Sequence, residues 1–287
     1  MRLRVSKLLS LATGAVLAAA VTTAAVSESA SAASPAWAPA ATAALHPGVM
    51  AYTSGAQCTV NFVYTDGAGN VYLGYAAHCA GTGTATSTNG CSTGSLSLGT
   101  PVTFSNDGSL VSGGTTVGRG TLAYSSWLAM QAAGEKDANT CAYNDLALVK
   151  VDPADVGKVN PTVPFYGGPT ALGTGTAAGD KVYSYGNSSL RAGVSQLSPK
   201  IGASLGDTAG GWTTTVYTVT PGIPGDSGSG FMDASGNAFG VLSTVAIAPL
   251  AGSNGVGNLR KELAYANAHG LSGVAVAPGT SPFAPPA

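Results

Sequence analysis

An all-β fold, a barrel or sandwich with one helix near its C-terminal end, is what the sequence predicts, and three observations lead to it. Short runs rich in Val, Thr, Tyr and Phe alternate with Gly/Ser/Asn/Asp clusters throughout the chain. Only 9% of the 287 residues are charged, against 41 glycines and a 45% hydrophobic fraction, which excludes intrinsic disorder and supplies a buried core. Clear helical periodicity is confined to residues 259–269, where Leu259, Leu263 and Ala266 recur after the turn signal Gly255-Val256-Gly257-Asn258. A net charge of -1 leaves no basic face for a phosphate backbone or an anionic bilayer, so nucleic acid is excluded as a partner.

Residues 1–32 read as a secretory signal: Arg2, Arg4 and Lys7 open it, an Ala/Leu/Val stretch follows from Leu8 to Val26, and Ala30-Ser31-Ala32 suits signal peptidase. A retained membrane anchor is the competing reading, and the early small-residue site with no following basic stop favours cleavage. Cleavage removes Arg2, Arg4, Lys7 and Glu28, leaves a secreted protein and makes membrane contact unexpected afterwards. Residues 33–48 form an Ala/Pro/Ser stretch without periodicity and read as a flexible tail; 273–287, with Pro278, Pro282, Pro285 and Pro286, reads as another.

Between the tails, residues 58–65 and 71–76 flank Asp66-Gly67-Ala68-Gly69-Asn70, a hairpin signal. A short helix is predicted at 125–133 and further strands at 145–151, 181–185, 213–220, 229–232 and 238–247. The proline-bearing stretch 152–169 divides the strands into two sets, giving expected units at 49–160 and 161–272. Cys58, Cys79, Cys91 and Cys141 are an even set that meets an oxidising compartment on export; no two have C-x-x-C spacing, so disulfides are expected rather than metal, with three pairings open.

Three short motifs carry chemistry. In Gly225-Asp226-Ser227-Gly228 the glycines let a peptide approach the hydroxyl and let amides turn toward a developing oxyanion, although such sequences are also common turns. In Ala76-Ala77-His78-Cys79 the histidine is pinned by an adjacent cysteine where a strand stops; His46 and His269 lie in a tail and on the terminal helix, so His78 is the base available. In Asn144-Asp145-Leu146-Ala147-Leu148-Val149 an aspartate opens an apolar strand, a turn residue on the plain reading and an orienter of imidazole on the functional one. The α/β-hydrolase elbow does not fit, because Ser229 stands where its last glycine belongs. The chain order His78, Asp145, Ser227 is that of chymotrypsin-like proteases and differs from that of subtilisins and α/β-hydrolases.

On these motifs, with Ser229-Gly230, Gly240-Val241-Leu242-Ser243 and the terminal helix, the sequence resembles the secreted trypsin-like (chymotrypsin-family) serine proteases of bacteria, in style those of actinomycetes, over residues 49–269. The resemblance implies two antiparallel six-stranded β-barrels with the triad in the cleft between them. It implies Ser227 as nucleophile, His78 as base and then acid, Asp145 as orienter of the ring, and the amides of Gly225 and Ser227 as oxyanion hole. It also implies that Ser243 holds the substrate backbone and faces Asp145, and that Cys58 pairs with Cys79, with Cys91 and Cys141 as the remaining pair.

Four departures shape the expectation. Pro221 stands six residues before Ser227, where trypsin-like members carry an aspartate, and Val245 and Gly255 near the pocket are uncharged; small or medium apolar P1 side chains follow. No Ile-Val-Gly-Gly activation sequence is present, so Asp226 needs another cation, with Arg191 the first candidate and Arg119 the second. Ser229 replaces a glycine usual after the nucleophile turn, and 125–140, with Glu135-Lys136-Asp137, reads as a solvated charged insertion. The expected activity is that of a serine endopeptidase without cofactor or metal, acting on proteins or peptides, with a monomer favoured. A turnover-deficient binding protein on the same fold is one alternative, and a secreted serine esterase is another; the late position of Ser227 relative to His78 opposes the second.

Overall fold

Strand sequences follow the two environments that a curved sheet offers. Val71–Ala76 (β4) is apolar on both faces and buried along its whole length, whereas Leu146–Val151 (β7) turns only Lys150 to solvent. The computed structural model describes residues 35–84, 87–109, 111–245 and 252–286, without the side chain of Val245. The signal segment expected at 1–32 lies outside the described residues.

The first sheet is built from Met50–Thr53 (β1), Ala56–Thr59 (β2), Val63–Thr65 (β3), β4, Pro101–Asn106 (β5), Thr115–Ser125 (β6) and β7. Ser126–Ala133 (α1) and Ala138–Tyr143 (α2) interrupt it between β6 and β7. The second is built from Lys181–Tyr185 (β8), Pro199–Thr208 (β9), Thr213–Thr218 (β10), Gly230–Met232 (β11), Ala238–Val245 (β12) and Asn254–Asn258 (β13), followed by the helix Leu259–Ala268 (α3). A last strand, Ala275–Val276 (β14), returns to the first sheet. The second set closes into a six-stranded antiparallel barrel, β10-β13-β12-β11-β8-β9, around Val182, Val216, Phe231, Phe239, Leu242 and Val256.

The all-β expectation holds, but among the described residues only one barrel is closed by its ladders. The first sheet has eight strands in the order β14-β3-β4-β7-β6-β5-β1-β2, a half-barrel in which β2, at one edge, and β3, next to β14 at the other, are the two halves of what reads in sequence as one strand. The chain bends between them: the amide of Val60 donates to Val49 on one side and that of Asn61 to Gly74 on the other, at 3.0 and 2.8 Å. The Asn61 side chain fixes the bend by accepting from the Phe62 amide and the Tyr64 hydroxyl.

Both supposed tails are corrected. Leu45 is buried and bridges to Val159, Ala38 donates to the same residue, and the C-terminal run supplies β14. The 255–258 turn signal is corrected too: its glycines lie in β13, between β10 and β12, where small residues admit close neighbours. The insertion at 125–140 is not a solvated loop. Trp127 and Met130 of α1 join the core, and Asp137 caps α2 through the Thr140 amide.

Candidate active site

Adjacent strands bring the first two residues together. The register pairs Ala76 of β4 with Leu146 of β7, so the residues just past one end of that ladder, His78 in a 3-10 turn over Ala77–Ala80 and Asp145, meet at the same edge. The Asp145 carbonyl accepts from Ala77, and its Oδ1 accepts from the His78 amide, both at 2.8 Å. Oδ2 lies 2.7 Å from His78 Nδ1 and accepts from Ser243 Oγ at 2.6 Å. A carboxylate already accepting an amide and a hydroxyl favours the tautomer with the proton on Nδ1, which leaves Nε2 as the basic nitrogen. Burial works to lower the His78 pKa, but the charge and hydrogen bond of Asp145 outweigh it and hold the imidazole above its usual range.

Ser227 comes from the barrel and docks on the first sheet: its carbonyl accepts from Thr59 at 2.8 Å, and the next amide, Gly228, donates to Leu242 at 2.7 Å. The loop before it is held by its carbonyls. Gly225 O accepts from Gln57 Nε2 and Thr59 Oγ1, and Pro224 O accepts from Ser188 Oγ. Gly225 has φ +95°, which glycine alone adopts readily, and a Cβ there would collide with the Gln57 amide. With the carbonyls turned away, the amides of Gly225 and Ser227 donate to no protein acceptor among the described residues. Ser229, the departure noted above, closes the turn: its buried hydroxyl donates to the Asp226 carbonyl.

His78, Ser227, Gly225 and Ser243 line one cavity of about 600 Å³. Among the described residues no hydrogen bond joins Ser227 Oγ to His78 Nε2; the ring's bond is to Asp145. The apolar wall is Ile223, Pro224, Leu242 and Trp127, and among the described residues no Asp, Glu, Lys or Arg lines the cavity. Neither Pro221 nor Gly255 belongs to the lining. The Pro221 carbonyl is engaged by Arg191 and Lys200, and Gly255 lies beside Thr244 in the β12–β13 ladder. Val245 pairs with Asn254 at the end of β12, and its side chain lies outside the described residues. Asp207 does not line the cavity and accepts from Thr214 Oγ1.

Asp226 is completely buried and meets two cations, Arg191 Nη2 at 2.5 Å and Lys200 Nζ at 3.0 Å. Arg191 fills the expected place; Arg119, the second candidate, instead donates its amide to Asp155. Lys200 carried no sequence signal, since it lies in a strand, β9, that the sequence pattern does not reveal. Here it points into the barrel, where burial lowers its pKa against the opposing pull of Asp226. Two disulfides, Cys58–Cys79 and Cys91–Cys141, match the pairs that the resemblance implied; the first ties β2 to the His78 turn and the second ties the 81–96 loop to α2.

No family model matches the chain, and no curated protein does. Its structural neighbours are bacterial chymotrypsin-like serine proteases. Protease A of Thermobifida fusca matches at TM-score 0.49 and 17% identity over 82% of this chain and 99% of its own. Nocardiopsis protease matches at 0.45 and 17% over 81% and 98%, and Cellulomonas bogoriensis chymotrypsin at 0.46 and 19% over 81% and 98%. At these scores the likeness carries no weight for function, which has to be argued from the site itself.

Proposed function

We propose that the protein is a serine endopeptidase acting through an acyl-enzyme, with Ser227 as nucleophile, His78 as general base and then acid, and Asp145 as orienter. The observation that carries this reading is the 2.7 Å contact of His78 Nδ1 with Asp145 in a ring that shares its cavity with Ser227. Ser227 Oγ attacks the scissile carbonyl while Nε2 takes its proton, and the proton then passes to the leaving amine. The freed amides of Gly225 and Ser227 receive the oxyanion, each such donor contributing ~3–4 kcal/mol of transition-state stabilisation. The Arg191–Asp226–Lys200 cluster supports the loop that presents those amides without any freed N-terminus, so the enzyme folds active.

The lining supports an apolar P1 preference. A lysine or arginine entering a cavity without a carboxylate loses hydration and gains no ion pair, so Ala, Val or Leu at P1 are cleaved in preference. Two disulfides support an oxidising, extracellular location for a protein led by a signal segment. Labelling with an organophosphonate tests the chemistry: Ser227 is modified in the native protein, and Ser227→Ala loses both the label and peptide hydrolysis while still folding. Unlabelled native protein would instead support the binding-protein reading. A peptide library dominated by Arg or Lys at P1 would sink the specificity and spare the triad.

A further inference from the structure

Glu262, at the start of α3, is completely buried, and none of the ion pairs among the described residues includes it. A carboxyl in such a place is costly in its ionised form and calls for a reason. Its Oε1 accepts the amide of Asp145 at 3.0 Å, while Oε2 is buried without a hydrogen-bond partner. The room it occupies is left by Gly257, where a Cβ would overlap Oε1. Asp145 is thereby held at every polar atom: its amide by Glu262, its carbonyl by Ala77, Oδ1 by the His78 amide, and Oδ2 by His78 Nδ1 and Ser243.

We infer that Glu262 is a positioning residue of the active site, fixing the backbone of Asp145 and, through its carboxylate, the tilt of the His78 ring. The inference rests on the triad reading above. The groups that face Glu262 are Asp145, Tyr64 of β3 and Tyr124 of β6, none of them cationic. The neighbouring α1, β12 and β13 bring no titratable side chain, Lys150 of β7 is exposed, and Arg260 and Lys261 on its own helix are turned to the carbonyls of Gly173 and Gly210. Burial therefore pushes the Glu262 carboxyl up to about 8, assisted by the Asp145 charge and opposed by the Asp145 amide. Below that pH it is a neutral acceptor that sets no second anion against Asp145. Above it, a further negative charge stands behind the carboxylate that pairs with the imidazole.

Nuclear magnetic resonance of the His78 ring in Ser227→Ala protein tests this without turnover, with Glu262→Gln and Glu262→Leu added separately. Gln keeps an acceptor for the Asp145 amide and leaves the Nδ1–H resonance at neutral pH as in the parent. Leu fills the space without an acceptor, displaces that resonance and lowers the midpoint of the imidazole titration. In the parent the same resonance passes a second inflection near the pH at which Glu262 ionises, and Glu262→Gln abolishes it. A folded Glu262→Leu protein with the parent's resonance and midpoint overturns the inference. Should Glu262→Leu fail to fold, a parent without the inflection, or a Gln variant that retains it, overturns it instead. In the Ser227 enzyme, Glu262→Leu lowers kcat by about tenfold with little change in KM, and Glu262→Gln restores most of it. A protein that cleaves no peptide yet shows both resonance effects would refute the protease reading and leave the role of Glu262 intact.

Discussion

On the proposed mechanism His78 must be neutral to accept the Ser227 proton, so kcat/KM is expected to rise as the ring deprotonates. Because Asp145 raises that pKa, the acidic limb lies above the 6.5 of a free imidazole, and Asp145→Asn moves the limb of the residual activity to lower pH. A limb that stays in place in Asp145→Asn would show that another group is titrating. The same sign applies to stability: the His78–Asp145 interaction contributes fully below pH 6.5 and is lost as pH climbs through the raised folded value. Asp226 obeys a different rule, since Asp226→Asn leaves Arg191 and Lys200 buried without their anion. That loss costs about 3–5 kcal/mol in urea unfolding of the Ser227→Ala protein, against a near-neutral result if the cluster were wet. The placement of His78 beside Asp145, in one cavity with Ser227, was legible because histidines are scarce and each residue sits in a short motif. Lys200 and Glu262 were not, because each is a charged residue on an element whose sequence reads as exposed, and only the fold turns them inward.

Elements that read clearly in the sequence were those with a dense apolar pattern. β4, β7 and α3 lie where expected, and α1 matches its predicted span within one residue. β9, Pro199-Lys200-Ile201-Gly202 onward, escaped notice because its outward face is apolar at Ile201 and Leu205 while Lys200 and Ser204 point inward, an inverted alternation. β13 escaped because its glycines, read as turn formers, are there for close packing. The turn over Ala77–Ala80 has no capping side chain and depends on the Cys58–Cys79 bridge and on Asp145 for its place. Replacing both cysteines by serine costs about 3 kcal/mol on the chain-entropy account, measured by chemical denaturation. Activity falls further than the fraction unfolded explains, because the His78 turn is released. Activity that tracks the folded fraction alone would show that Asp145 suffices to hold it.

At the scale of the whole described molecule, the all-β class was legible, whereas the closure of the sheets was not. One predicted strand serves both β2 at one edge of the half-barrel and β3 near the other through the bend at Asn61, a feature that no pattern of apolar residues encodes. The C-terminal run was misread for a related reason: its prolines suggest a tail, but it uses backbone groups and one ring to join the sheets. β14 pairs with β3, Thr280 bonds Asn160 and Thr162, and the Phe283 ring meets Tyr183 of β8 edge-on at 5.3 Å. Phe283→Ala therefore costs roughly 2 kcal/mol, less than a fully buried phenylalanine, and lowers the melting temperature of the whole unit in one transition. A melting temperature equal to the parent's would show that the ring adds nothing to the join.

That strap follows every other element in chain order, and a polypeptide is threaded through a ribosome or an export channel from its N-terminal end. The barrel and every strand of the first sheet but β14 thus precede in sequence the segment that stitches them together. Thr280 and Phe283 can dock only once Thr162 and Tyr183 are already in place, so among the described residues the join between the sheets is the last contact the chain can make.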